Sequence, residues 1–164
     1  MPLIQFCPSC WGGNLIDATI CVRCRTPLSA TRPIFYEQKL MRTLHHPLPE
    51  MREMAAILLG QRRDQQALPV LLSCLLEETD TDVLCAISKT LGQLGDCRAV
   101  APLVQCLAQP HSLIVTLTIV DALAALASMG CWEALDVLKV PPPIAERVAE
   151  AITARLETLN RFYY

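Results

Sequence analysis

The chain has 164 residues, 52% hydrophobic and 18% charged, with a formal net charge of -2. Apolar content of this order excludes a disordered chain, and the near-balanced charge excludes one built mainly to cover nucleic-acid phosphates. Leu and Ala together supply 44 residues, a usage that favours helices, so the expected fold class is all-α and not all-β.

Met1 is followed within a few residues by Cys7, Pro8 and Cys10. A secretory signal would show a charged start and an apolar run instead, so a cytoplasmic chain is expected. Residues 1–28 are expected to form the first module, a small metal-clamped unit with a short β-hairpin. Its two Cys-x-x-Cys pairs, Cys7/Cys10 and Cys21/Cys24, are separated by ten residues. Each pair bends the backbone so that both sulfurs face one ion, and four thiolates suit tetrahedral zinc. A segment of about 25 residues cannot build a core that offsets its own ordering cost. Structural zinc supplies on the order of 10–16 kcal/mol in small finger peptides, enough to fold it. With all four positions taken by Cys7, Cys10, Cys21 and Cys24, the expected cofactor is one structural Zn2+ with no place for a reacting water. Disulfides, a redox dithiol and four-sulfur iron are the rival chemistries; no oxidising compartment and no βαβ pattern is indicated. Ile4, Phe6, Leu15, Ile20 and Leu28 are expected to form a satellite apolar cluster, and Gly12, Gly13 and Asn14 a turn between the two strands. Trp11 is too large for so small a module to bury, which puts it at a module boundary or against a partner.

These residues resemble the short zinc-ribbon modules that read Cys-Pro-x-Cys-Gly, about ten residues, Cys-x-x-Cys-Gly. Cys7, Pro8, Cys10, Cys21 and Cys24 match in order and spacing, whereas Trp11 and Arg25 stand where the ribbons carry glycine.

Residues 29–50 are expected to hold a connector, Ser29 to Pro33, and an amphipathic capping helix from Ile34 to His45. Residues 51–140 repeat. Leu59-Gly60, Asp64, Ala67, Leu71, Cys74 and Leu75 recur 32 residues on as Leu91-Gly92, Asp96, Ala99, Leu103, Cys106 and Leu107. A further shift of 35 carries Leu91, Gly95, Ala99, Val100 and Leu103 onto Leu126, Gly130, Ala134, Leu135 and Leu138, giving three units. The extra length falls at Gln109-Pro110-His111, where insertion costs little. Each unit predicts two helices, the first with an apolar face such as Val83, Ile87, Leu91 and Leu94. Asp64 and Asp96 are placed to cap the second helix. Pro69 and Pro102 fit near its opening, and Ala55, Ala56, Ala86, Ala122 and Ala125 allow close approach of neighbours.

The pattern of Ala-rich helix, Leu-Gly, Asp, Ala-Val/Leu-Pro and Leu resembles the short HEAT-like repeats, including those of the phycobilisome lyase family. The third unit departs from it, with Cys131 at the turn Asp and Asp121 at a small-residue position. The resemblance implies an α-solenoid used for protein binding. Lyase activity does not follow, because the repeat is a packing motif and not a set of reacting groups. Ser112 to Met129 is the most apolar stretch, but Asp121 at its middle and the lack of flanking Lys/Arg predict a helix buried in protein, with no membrane span. In residues 141–164, Pro141-Pro142-Pro143 should launch a closing helix, Ile144 to Arg161. Ile144, Val148, Ile152, Leu156 and Leu159 fall on one face, and Glu157 pairs with Arg161.

No catalytic or further cofactor-binding residue is predicted. His45, His46 and His111 lie at helix ends without a motif, and Cys74, Cys85 and Cys106 suit small core positions. Cys97 and Cys131, near inter-helix turns, are expected to be the more accessible thiols, open to oxidation or modification. The expected function is a non-catalytic adaptor for another protein, with Ser73, Gln105, Gln109 and Asp136 along its groove. Residues 1–63 carry eight Lys/Arg against four Asp/Glu, so nucleic-acid binding through Arg23, Arg25, Arg32, Lys39 and Arg42, with Trp11 for base stacking, is the first alternative. An accessory subunit of a lyase-like enzyme is the second.

Overall fold

The computed structural model describes residues 4–7, 9–15, 17–28 and 36–139, together with 152, 153 and 157. Strand β1 (Ile4–Phe6) pairs antiparallel with β2 (Gly13–Leu15), placing Ile4 opposite Leu15 and Phe6 opposite Gly13. Two expectations for this module are corrected. Gly13 and Asn14 lie in β2, and the chain reverses through the Cys7–Gly12 knuckle, closed by the Cys7 N–H on the Gly12 carbonyl at 3.0 Å. Nor is there a satellite cluster of the expected membership: Phe6, Leu15 and Ile20 are exposed, and the interior is Cys7, Cys21 and Leu28 with Cys10 and Ala18 against them. Both knuckles aim their sulfurs inward, so strand alternation turns Phe6, the neighbour of Cys7, outward.

Seven helices follow among the described residues: α1 (Tyr36–Thr43), α2 (Pro49–Gln61), α3 (Leu68–Glu77), α4 (Thr81–Leu94), α5 (Val100–Leu107), α6 (Leu113–Ser128) and α7 (Trp132–Lys139). Helix α4 packs between α2 and α6, with α1 against α2; α3 lies against α4 and α5, α5 against α6, and α7 against α6. Ile152, Thr153 and Glu157 are helical, and Ile152 joins the main core. The rest of the expected closing helix, like the Ser29–Pro33 connector, lies outside the described residues.

The fold repeats because its turns repeat. Each first helix ends on a residue in the left-handed region at the same register: Arg63 (φ 49°), Gly95 (φ 72°) and Gly130 (φ 96°). That residue redirects the chain, and the aspartate after it caps a short 3₁₀ turn into the second helix. Asp64 accepts from the Gln66 amide at 3.0 Å and Asp96 from the Arg98 amide at 2.9 Å. Gly95 suits this position because only glycine takes a left-handed backbone at no steric cost; a Cβ there would also displace the flexible Met129 side chain.

The apolar faces then close on one another. Val83, Ile87, Leu91 and Leu94 of α4 are all buried, as their spacing predicts. Gly92 lets α6 come close: a Cβ there would lie 3.1 Å from Ala122 Cα. Helix α6 buries Val115, Ile119, Val120, Leu123 and Leu126 and leaves Asp121 on its exposed side. Among the described residues, no helix is long and apolar enough to cross a membrane.

Cys97 and Cys131 require a third correction, in part: Cys97 is exposed as expected, but Cys131 is only 1% exposed, and the two are joined in a disulfide with Cα atoms 5.3 Å apart. Cys131 occupies in the third repeat the turn position that Asp96 holds in the second, so stacking brings it against Cys97.

One ion pair ties α2 to the end of α3. Arg52 donates from Nε and Nη2 to the two carboxylate oxygens of Glu78 at 2.7 and 2.9 Å, and Oε1 also accepts from the Thr79 and Asp80 amides. Burial alone would raise the Glu78 carboxyl, but the Arg52 fork and these amides outweigh it and hold the group below its ordinary value of 4.5. A depressed carboxylate stabilises the fold above its unfolded pKa and loses that contribution as pH falls through the folded one. Urea midpoints should therefore drop as pH falls below 4.5. Glu78→Gln should flatten that part of the slope; an unchanged slope would remove Glu78 as its source.

Candidate functional site

The two cysteine pairs sit on knuckles that copy each other bond for bond. In the first, the Trp11 amide donates to the Cys7 carbonyl at 2.9 Å, and the Cys7 amide to Gly12 at 3.0 Å. In the second, the Arg25 amide donates to Cys21 at 3.0 Å, and the Cys21 amide to Thr26 at 2.8 Å. Buried Asn14 joins them, donating to the Gly12 carbonyl at 2.7 Å and accepting from the Val22 amide at 2.9 Å. Asn14 is therefore a positioning residue for the site; its polar side chain directly after Gly12 and Gly13 resembled ordinary turn chemistry in the sequence.

The result is a convergent sulfur cage. The Sγ atoms of Cys7, Cys10, Cys21 and Cys24 all lie within 4.8 Å of one another, with Cys7–Cys24 at 3.5 Å and Cys10–Cys21 at 3.6 Å. A tetrahedron with metal–sulfur bonds of about 2.3 Å has edges of about 3.8 Å, so the four residues fit a metal ion. Electrostatics agrees with a cation at the centre. The Cys21 thiol is lowered to about 6, chiefly by the Cys24 backbone, with the Arg23 backbone helping and burial opposing. The Cys10 thiol is pushed up to about 12, because burial and the three neighbouring thiols overcome the lowering effect of the Gly12 backbone. Four thiolates cannot share this space without a compensating charge.

The missing ribbon glycines leave a measurable mark. Trp11 (φ 56°) and Arg25 (φ 62°) both adopt the left-handed conformation that the motif normally assigns to glycine. Such a conformation costs a non-glycine residue about 1–2 kcal/mol. Arg25→Gly should therefore tighten metal retention by about five- to thirtyfold, read as a higher chelator concentration needed to strip the ion. Equal or weaker retention would show that Arg25 makes contacts worth more than its strain.

Trp11 also links the module to the stack. Its half-buried ring meets His46, in the α1–α2 turn, edge-on with centroids 4.7 Å apart. His46 Nδ1 accepts from the Leu48 amide at 3.1 Å, which fixes the imidazole orientation.

Farther along, the second helices present two adjoining cavities. One, of about 450 Å³, lies along α3 and α5 and is lined by Leu75, Leu76, Gln105, Cys106, Gln109 and His111, among others. A smaller one of about 260 Å³ opens by Leu44, His45, Arg52, Cys74 and Glu77. Gln105 and Gln109, two of the four residues expected along a groove, thus line the larger cavity. Ser73 bonds its own helix at the Val70 carbonyl, Asp136 is exposed, and neither lines these cavities. Each cavity holds a thiol–imidazole pair absent from the sequence expectations: Cys106 Sγ lies 3.4 Å from His111 Nε2, and Cys74 Sγ lies 4.0 Å from His45 Nδ1. The repeat register of Cys74 and Cys106 was visible; the histidines, in connections of unequal length, had no register to reveal them. Burial raises both thiols, Cys74 to about 11, which keeps them protonated rather than nucleophilic. Of the basic residues proposed for nucleic acid, Arg23, Arg25, Lys39 and Arg42 are exposed, and Arg32 lies outside the described residues.

A family profile described as HEAT repeats matches residues 37–124. The chain belongs to the HEAT-repeat family. The match runs from α1 into α6 and leaves the four cysteines of this HEAT-repeat protein outside it. A curated relative, the bilin biosynthesis protein PecE of Mastigocladus laminosus, is 36% identical over 88 residues. These are 51% of the present chain and 30% of PecE, so the HEAT-repeat chain spans less than a third of that relative's length.

Proposed function

We propose that this protein is a non-catalytic scaffold that grips another protein in the groove of its second helices and carries one structural Zn2+ on Cys7, Cys10, Cys21 and Cys24. The single observation behind the scaffold is the cavity of about 450 Å³ along α3 and α5, whose Leu75 and Leu76 offer an apolar lining beside the amides of Gln105 and Gln109. That combination suits a peptide side chain seated among leucines while its backbone bonds the glutamines. Protonated thiols beside His45 and His111 supply no activated nucleophile, which supports binding without turnover. Modules at 1–28, 29–50, 51–140 and 141–164, in a cytoplasmic chain, complete the proposal. The immobilised full chain, loaded with zinc, should retain a defined protein partner from native extract. Gln105→Arg with Gln109→Arg should release that partner while leaving helicity intact. Retention undiminished by the double substitution would place the interface elsewhere.

The likeness to PecE favours a second role, as an accessory to bilin handling. Biliverdin absorbance co-eluting with the protein and its partner would support it, and elution of pigment apart from the chain would count against it. Nucleic-acid binding, the first alternative from the sequence, would be supported by retention of RNA or DNA that weakens steeply as salt is added.

A further inference from the structure

We propose that the Cys97–Cys131 bridge is a reversible redox clamp between the second and third repeats. Three observations support it. First, the position of Cys97 makes an inter-repeat tie at both junctions between the three repeats. Gln65, which stands one repeat before Cys97, donates from Nε2 to the Leu94 carbonyl in the next turn at 2.8 Å. At the following junction the same register holds Cys97, and the tie is covalent over a separation of 34 residues. One junction is thus fixed by a hydrogen bond, and the other by a bond that responds to thiol chemistry.

Second, the fold does not need the bridge to close. Leu91 and Leu94 of α4 and Ile119, Leu123 and Leu126 of α6 are buried in one continuous core, with Gly92 seated on Ala122. An opened junction is already provided for, because Cys131 Sγ lies 3.9 Å from the Gly95 carbonyl, an acceptor for the freed thiol. Third, Cys74, Cys85 and Cys106 of the same stack are unbridged, so among its described cysteines Cys97 and Cys131 are the pair that thiol–disulfide exchange can join or part.

The exposure of the two sulfurs sets the order of events. Cys97 is exposed and Cys131 buried. With a low-molecular-weight disulfide such as oxidised glutathione as the oxidant, the Cys97 thiolate attacks one sulfur of that disulfide. Its S–S bond breaks, and one glutathione thiolate leaves. The Cys131 thiolate then attacks the Cys97 sulfur of the mixed disulfide and expels the second glutathione. Two protein thiols lose two protons and two electrons, and one glutathione disulfide becomes two thiols. Excess reduced glutathione runs both steps backward.

The test is to equilibrate the full-length, zinc-loaded protein in buffers of graded reduced-to-oxidised glutathione, quench with acid, alkylate, and map blocked cysteines by peptide mass spectrometry. Cys97 and Cys131 should pass together from alkylated to bridged within the range of the buffers. The bridged protein should melt about 10 °C above the same protein reduced with a phosphine. Cys97→Ser should melt with the reduced wild type and show no dependence on oxidant. The wild-type comparison stands even if that variant folds poorly. A bridge that persists in the most reducing buffer, a pair that stays alkylated in oxidised glutathione alone, or coincident melting of the two states would each overturn the clamp.

Discussion

Stripping the metal from the four-cysteine centre should unfold residues 4–28 and leave the helical stack folded. The module has almost nothing else to hold it: Cys7, Cys21 and Leu28 are its only buried apolar side chains among the described residues, while Phe6, Leu15, Ile20 and Val22 face outward. Its paired strands are three residues each, too short for independent stability. Bound structural zinc contributes on the order of 10–16 kcal/mol in comparable peptides, far more than so small an apolar cluster supplies. Addition of a strong chelator should therefore bring the amides of 4–28 to rapid hydrogen exchange. Trp11 emission should shift as the ring leaves His46, while the helical circular dichroism stays. Cys21→Ser should reproduce this state without chelator. Because the ligands must be thiolates, acidification should release the ion as well. Slow exchange in the module after complete metal removal would mean that the knuckles hold themselves.

Leu103→Ala should destabilise the stack by about 2–5 kcal/mol in urea denaturation. Leu103 is fully buried in α5, and the register assigns it the same core position that Leu71 fills one repeat earlier. Alanine leaves a hole that rigid neighbouring helices cannot collapse to fill. Ile114→Ala is the matched control: Ile114 is 61% exposed, and its truncation should change stability by no more than about 0.5 kcal/mol. A loss below about 1 kcal/mol at Leu103 would break the link between repeat register and core.

The helical stack was legible in the sequence because its instructions are local and repeated. Leu59-Gly60 and Leu91-Gly92 mark the first helices, Asp64 and Asp96 the caps, and the same leucines fill the same positions. The sulfur cage was legible for a similar reason, since a Cys-x-x-Cys pair specifies its own bend. Three kinds of feature were not. Trp11, Arg25 and Arg63 adopt left-handed backbones that their side chains disfavour, imposed by surrounding hydrogen bonds that propensity does not contain. The outward turn of Phe6, Leu15 and Ile20 follows from a sulfur interior that displaces a hydrophobic one. The Cys97–Cys131 bond depends on distance between stacked turns; its separation of 34 residues, close to one period, was the signal that could have found it.

Contact between Gly92 and Ala122 gives the stack a mechanical bias. With 3.1 Å between a Cβ at one and the Cα of the other, the α4 and α6 axes have no room to approach further. Bending between these repeats must pivot on that line of small residues. Motion is then taken up on the opposite side, where α5 and α7 spread apart or draw together.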